Sequence, residues 1–345
     1  MSKGDRTGCP GVRQGEGTSV RVQPASVDRG LVGTGLRKAR DAARTGVHNR
    51  RALRNGELTV RRPGFRFALP GLTLYSVLVA YPAVATAYYA FTNWNGLAQH
   101  WHFIGLKNFI SVLSSGLERT AFVNTCEATV GIALGANIVG FVVALLLQKR
   151  TKFNYVMRLL WFLPAALPSI VAGYIWTFIY SPSGPLDTIW VSLHLGAPPG
   201  FLGSPKEALP SIIVVAIWQV SGYAMVLLLA GLQAIDEQLH EAARVDGAGA
   251  LQRLRFVTLP LLRPAFAVSF VFSTVTGLLL FDIVVATTDG GPGYATETLA
   301  TQLYKQSFEY NNFGWGMAMG VLMGIMVLGV SAAMLWIFNR KEARL

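Results

Sequence analysis

Charge is scarce in this chain. Only 14% of its 345 residues are Asp, Glu, Lys or Arg, against roughly 25% in soluble domains. Cysteine is scarcer still, with two in all. Cys9 and Cys126 are expected on opposite sides of the chain's apolar segments, so neither a disulfide framework nor a thiolate metal site is on offer. His100, His102 and His194 lie scattered without metal-ligand spacing, so neither a metal site nor a catalytic residue is expected, and the chain is not read as an enzyme. No GxxxxGK[ST] stretch occurs, which excludes a P-loop and direct ATP binding of that type. No short apolar segment followed by a small-residue cleavage site precedes Phe67, so a signal peptide is not expected.

Long apolar runs are what the chain has instead. Apolar residues make up 52%, and charge-free runs cover 67–106, 128–148, 159–186, 208–235, 264–281 and 310–339. A membrane helix needs about 20 mainly apolar residues. Five runs reach that length, and 264–281 continues past a lone Asp282 as apolar sequence. The expectation is all-α: a polytopic membrane protein with six transmembrane helices at about 66–91, 120–147, 157–180, 209–231, 264–287 and 313–338. Pro164 and Pro168 predict a bent or locally unwound third span. Gly131 and Gly135 in the second span, and Gly316, Gly320 and Gly324 in the sixth, predict close helix approach.

The net charge of +12 belongs mostly to residues 1–66, which hold fifteen Lys/Arg and five Asp/Glu. Such an excess marks a tail, and not a basic face for nucleic acid. Residues 1–65, rich in Gly, Arg, Thr and Ser, read as a disordered basic arm near anionic lipid. With the N-terminus inside, twenty-six Lys/Arg fall on the cytoplasmic side and four (Lys107, Arg119, Lys206 and Lys305) outside. The positive-inside rule therefore places both termini in the cytoplasm, and with them the polar loop 232–263.

That loop contains the longest polar interruption after residue 120. Asp236 suits a helix N-cap, Glu237 suits the first turn, and Gly247 and Gly249 suit its end. Pro260 and Pro264 stand where a following helix tolerates proline. The segment carries Glu241-Ala242-Ala243, then Gly247, then Val257 and Leu259-Pro260. In these positions the chain resembles the permease subunits of binding-protein-dependent ABC importers, whose signature is EAA, three residues, Gly, nine residues, Ile, one residue, Leu-Pro. Val257 for Ile is the one change. The longer form EAARVDGA…LPLLRP resembles the sugar-importing, maltose/oligosaccharide/glycerol-phosphate-type members, although Asp236 stands where proline is usual. The resemblance spans about residues 66–340. It implies a type I importer permease fold in the bacterial cytoplasmic (inner) membrane, and a coupling helix formed by the 232–263 loop. Glu241, Ala242, Ala243, Asp246, Gly247, Ala248, Leu259 and Pro260 would meet a separate ATPase, with Glu241 reaching an arginine there. It also implies a second permease of similar fold, two ATPase copies that bind ATP and Mg, and an extracytoplasmic solute-binding protein. This chain lacks the extra N-terminal helices and external domain of some maltose-type members, so maltose specificity does not carry over.

Further stretches are candidates for contact with solute or partner. Trp218, Gln219 and Tyr223 lie near mid-span in the fourth helix, where aromatic faces and amides suit a sugar. The other reading is helix–helix hydrogen bonding with ordinary aromatic packing. Phe281-Asp282 resembles a family position; the acid is read either as part of the path or as an interfacial cap. Asn124-Thr125 matches a family NT pair, and the Gly290-Gly291-Pro292 stretch, a family GGP…T match, would meet the binding protein. The function expected is alternating-access import of a sugar or sugar-like solute, driven by the partner ATPase. The competing class is a stand-alone secondary carrier or channel, which would transport by itself.

Overall fold

The computed structural model describes residues 65–342, so the expected basic arm lies outside the described residues. The chain divides into two compact units, Met1–Leu72 and Thr73–Leu345. Only the opening turns of one helix are described in the first unit, and the account below concerns the second.

Helix α1 (Phe65–Tyr75) continues through a π-turn (Ser76–Ala80) into α2 (Tyr81–Tyr89). Then come α3 (Lys107–Ser114), α4 (Gly116–Leu146), α5 (Lys152–Ala166), α6 (Ser169–Ile179), α7 (Pro185–Ser192) and α8 (Ala208–Ala234). The chain goes on with α9 (Glu237–Val245), α10 (Ala250–Arg253), a π-turn (Leu254–Thr258), α11 (Leu259–Leu261) and α12 (Arg263–Leu278). It closes with α13 (Asp282–Thr287), α14 (Leu299–Tyr304), a π-turn (Lys305–Glu309) and α15 (Phe313–Glu342). No strand occurs among the described residues; one antiparallel bridge, Thr92 to Phe103, ties the loop after α2.

Among the described residues, four helices are long and apolar enough to cross a membrane, or up to six if each of two bent pairs is one span. The third span bends as Pro164 and Pro168 led one to expect, whereas the fifth departs from the sequence reading. The third expected span is two helices, α5 and α6, meeting at 98°. Pro168 has no N–H to continue α5 and disfavours helical geometry at Leu167, whose ψ is 142°. The fifth expected span, 264–287, is likewise interrupted. Helix α12 stops at Leu278, and Leu279 to Phe281 leave helical geometry before α13 begins at Asp282. Thr298 donates its hydroxyl to the freed Leu280 carbonyl at 2.8 Å. Asp282 is therefore an exposed first-turn residue of a short helix, and not a charge inside a continuous span.

The centre of the molecule is the pairing of α4 with α8, around Ile132, Ala136, Ile212 and Val215, all fully buried. In a membrane, apolar side chains gain little from meeting each other instead of lipid, so close approach of small residues and hydrogen bonds must hold helices together. A Cβ on Gly131 or Gly135 would fall on Ile213 or Ile217 of α8. Asn137 of α4 donates to the Ser273 hydroxyl of α12 at 2.8 Å. Two of the three α15 glycines meet a neighbouring helix closely, as expected. Gly316 and Gly320 face Ser307 and Leu303 of the α14 segment, which is no spanning helix, and Gly324 meets nothing within 4 Å.

Candidate functional site

The polar segment after α8 folds as a capped, exposed helix. The Asp236 carboxylate accepts from the Gln238 N–H at 3.0 Å, satisfying one free donor of the first turn. At the other end the Ala248 N–H donates to Ala243 O and the Gly247 N–H to Arg244 O, at 2.9 and 3.0 Å. Gly247 sits at φ +79°, the left-handed position such a helix end needs and a side chain resists. The chain then turns through α10 and α11, with Pro260 and Pro264 each in a first turn, and meets α12 at a 68° bend.

The coupling candidates separate into two groups. Ala243, Asp246, Gly247 and Ala248 line one side of an open cleft of about 390 Å³, with Arg253 and Phe256 opposite. Glu241 and Ala242 stand on the exposed surface of α9, while Leu259 and Pro260 are half-buried beyond the π-turn. Glu241 has no hydrogen bond or ion pair among the described residues. Arg244 instead pairs with Glu237 at 3.0 Å, with both side chains largely exposed. An exposed pair of this kind contributes little stability, and it leaves Glu241 free.

The path candidates occupy two places. Gln219, nearly fully buried, donates to the Leu167 carbonyl at 2.8 Å, and the Tyr223 hydroxyl donates to Ala165 O at 2.7 Å. Both carbonyls belong to the α5–α6 break. Trp218 meets Trp176 of α6 edge-to-face with ring centres 5.5 Å apart. Phe281 packs on Tyr304 at 5.3 Å. No hydrogen bond or ring contact among the described residues joins Trp218, Gln219 or Tyr223 to Phe281 or Asp282.

At the far end of α4, two sequence stretches read separately come together. Asn124 donates to the carbonyls of Ala295 and Glu297 at 3.1 and 2.9 Å, and the Thr125 hydroxyl accepts from the Leu299 N–H at 3.0 Å. The NT pair thus fastens the base of the 290–298 loop. Gly290 is buried against Glu297, with φ +86° and no room for a Cβ. Gly291 and Pro292 are half-buried, and Gly293 and Tyr294 form the exposed tip. Sequence reasoning missed the ion pair beneath. Glu297, with a fully buried side chain, accepts from Lys305 Nζ at 3.1 Å, and Lys305 also donates to Asp289 O at 2.8 Å. Burial alone would lower the Lys305 pKa, but the hydrogen bond and charge of Glu297, with Asp289 and Glu309, hold it above its usual value. Asn124 and Leu145, which lies at the α9 end, are 21 residues apart on one helix. At 1.5 Å per residue the loop and α9 are about 30 Å apart, at opposite ends of the molecule.

Known proteins share both the sequence and the fold. Residues 136–345 match the family described as binding-protein-dependent transport system inner membrane component. A probable ABC transporter permease of Pyrococcus horikoshii is 33% identical over 279 residues, covering 80% of this chain and 96% of its own. The trehalose/maltose transport system permease of Thermococcus litoralis is 33% identical over 267 residues, covering 77% and 90%. A bacterial alginate ABC transporter, crystallised in complex with an alginate pentasaccharide-bound periplasmic protein, matches at TM-score 0.67 and 20% identity, covering 78% of this chain and 91% of that one. This last likeness concerns fold alone. The EAA segment, the helical architecture and these matches agree: the chain belongs to the inner membrane component family of binding-protein-dependent transport systems, the permeases of ABC importers.

Proposed function

We propose that this chain imports a sugar or sugar-like solute by alternating access, with α9 as the handle through which a separate ATPase works it. One observation carries the reading: α9 is capped at both ends, exposed, and bears at Glu241 a carboxylate with no partner among the described residues. An ATPase arginine would pair with Glu241, and Ala242 and Ala243 leave room for close approach. The chain enters α9 directly from the buried α8 and leaves it through α10 and α11 to α12. Movement of the handle therefore reaches α8 and α12, the two helices that pack most extensively on α4. A sugar is favoured as the solute by the trehalose/maltose system of the Thermococcus litoralis relative. The assembly would contain a second permease, two ATPase copies binding ATP and Mg, and a solute-binding protein. The 290–294 tip would meet that protein, with both termini and α9 in the cytoplasm of a bacterial inner membrane.

The test is Glu241→Lys and Gly247→Trp in the assembled importer. Both variants are expected to reach the membrane in normal amount while uptake is abolished. Normal uptake with the ATPase still co-purifying would falsify the coupling role. Transport by the purified chain alone would favour the stand-alone carrier.

A further inference from the structure

Between α9 and the α4–α5 turn lies a second cavity, of about 590 Å³, which shares Arg253 with the cleft beside α9. Four cations line it: Lys149, Arg150, Arg244 and Arg253. Its single carboxylate, Glu237, is already engaged by Arg244 at 3.0 Å. His240 completes the polar wall. The side chains of Lys149, Arg150 and Arg253 have no hydrogen bond or ion pair among the described residues. Like charges gathered from three separate segments repel one another, and an anion between them removes that cost. The geometry is held in advance. Arg158 donates to the carbonyls of Leu147, Gln148 and Lys149 at 2.6 to 3.3 Å, fixing the turn that carries Lys149 and Arg150. The opposite wall is the capped helix α9.

The cavity's position identifies the anion. Leu145 and Leu232 line its other side, and they end the apolar runs of α4 and α8. Exposed Leu146 continues that apolar surface outward. The cavity thus straddles the level at which these helices leave lipid, where phospholipid phosphates sit. We propose that it binds the phosphate group of an anionic phospholipid, whose acyl chain lies along the exposed end of α4. Guanidinium and ammonium groups suit phosphate oxygens, and basic pockets between spanning helices are recurrent headgroup sites. The proposal rests on the membrane location that family membership supplies. It does not depend on coupling through Glu241, because the readout below is bound lipid and not uptake.

The experiment is native mass spectrometry of the full chain assembled with its partner subunits, after exchange into mixed phosphatidylglycerol and phosphatidylcholine. Wild type should retain phosphatidylglycerol selectively. Lys149→Gln/Arg150→Gln/Arg253→Gln should weaken that retention by on the order of a hundredfold. The charge-conserving Lys149→Arg/Arg150→Lys/Arg253→Lys should keep it, which separates lost charge from lost folding. Equal retention of the two lipids overturns the proposal. Displacement of the lipid by millimolar inorganic phosphate assigns the cavity to a soluble anion, and lipid bound to the isolated permease but absent from the assembly assigns it to the ATPase; either result also overturns it.

Discussion

Lys305 shows how much one side chain can hold. It joins the buried Glu297 to the backbone of Asp289, across the base of the loop whose tip is Gly293-Tyr294. Removing one partner of a buried pair leaves the other charged and unsolvated. Lys305→Met should therefore cost about 3–5 kcal/mol, read as a lower thermal midpoint in detergent. Adding Glu297→Gln should recover much of the loss. Because the Lys305 pKa is raised in the folded chain, its contribution is fully present below the ordinary value of 10.5 and fades as pH rises through the higher folded value. Thermal stability should thus show no Lys305-dependent step near neutral pH; a step there, absent in the Met variant, would contradict the pairing. Gln219 makes a comparable point in the apolar interior. Gln219→Leu leaves the Leu167 carbonyl without its donor at the α5–α6 break, for a cost of about 1–3 kcal/mol in the same assay. None of these pairings was legible in the sequence. Lys305 read only as one of four outside cations, and Gln219 as a sugar contact or a helix–helix bond. The partners are 8 and 52 residues away along the chain, and no local pattern encodes such distances.

Elements were far more legible. The polar segment at 236–249 announces its own helix, because cap, small residues and terminal glycine are local chemistry acting within a turn or two. Two substitutions measure how much that local chemistry contributes. Asp236→Ala removes the N-cap at a cost of about 1 kcal/mol, and Gly247→Val forces a branched side chain into φ +79°. Each should weaken ATPase co-purification by roughly fivefold, about the affinity equivalent of 1 kcal/mol, without displacing the chain from the membrane. An unchanged affinity in both would mean that the ATPase orders α9 for itself. Broken helices were half legible. Pro164 and Pro168 predicted a bend but not its 98° angle, nor that Gln219 and Tyr223 of α8 donate to the carbonyls at it. The interruption after α12 has no proline to announce it. There Thr298, 18 residues further on, donates to the Leu280 carbonyl that the break frees.

For the molecule as a whole, the arrangement points to a part of a machine. The α1–α2 stretch is an apolar helix with none of its spanning window buried, whereas 61% of the α8 window is buried. Surfaces as open as that of α2 are left for lipid or a second subunit. Purified chain reconstituted alone should show solute uptake no faster than empty vesicles, and addition of ATPase, second permease and binding protein should start ATP-dependent uptake. By itself the sequence determined the class, the order of its apolar segments, the EAA-type spacing and the charge asymmetry between the ends of the chain. These follow from composition and spacing, which lipid and backbone read directly. Only the tertiary structure decided how sharply the third span bends, that the fifth breaks, which glycines face which neighbour, that NT and GGP meet, and that four cations surround one cavity. Such facts depend on contacts between residues remote in the chain, and a carbonyl freed by a break or a carboxylate taken out of water is satisfied by whatever donor the fold brings near.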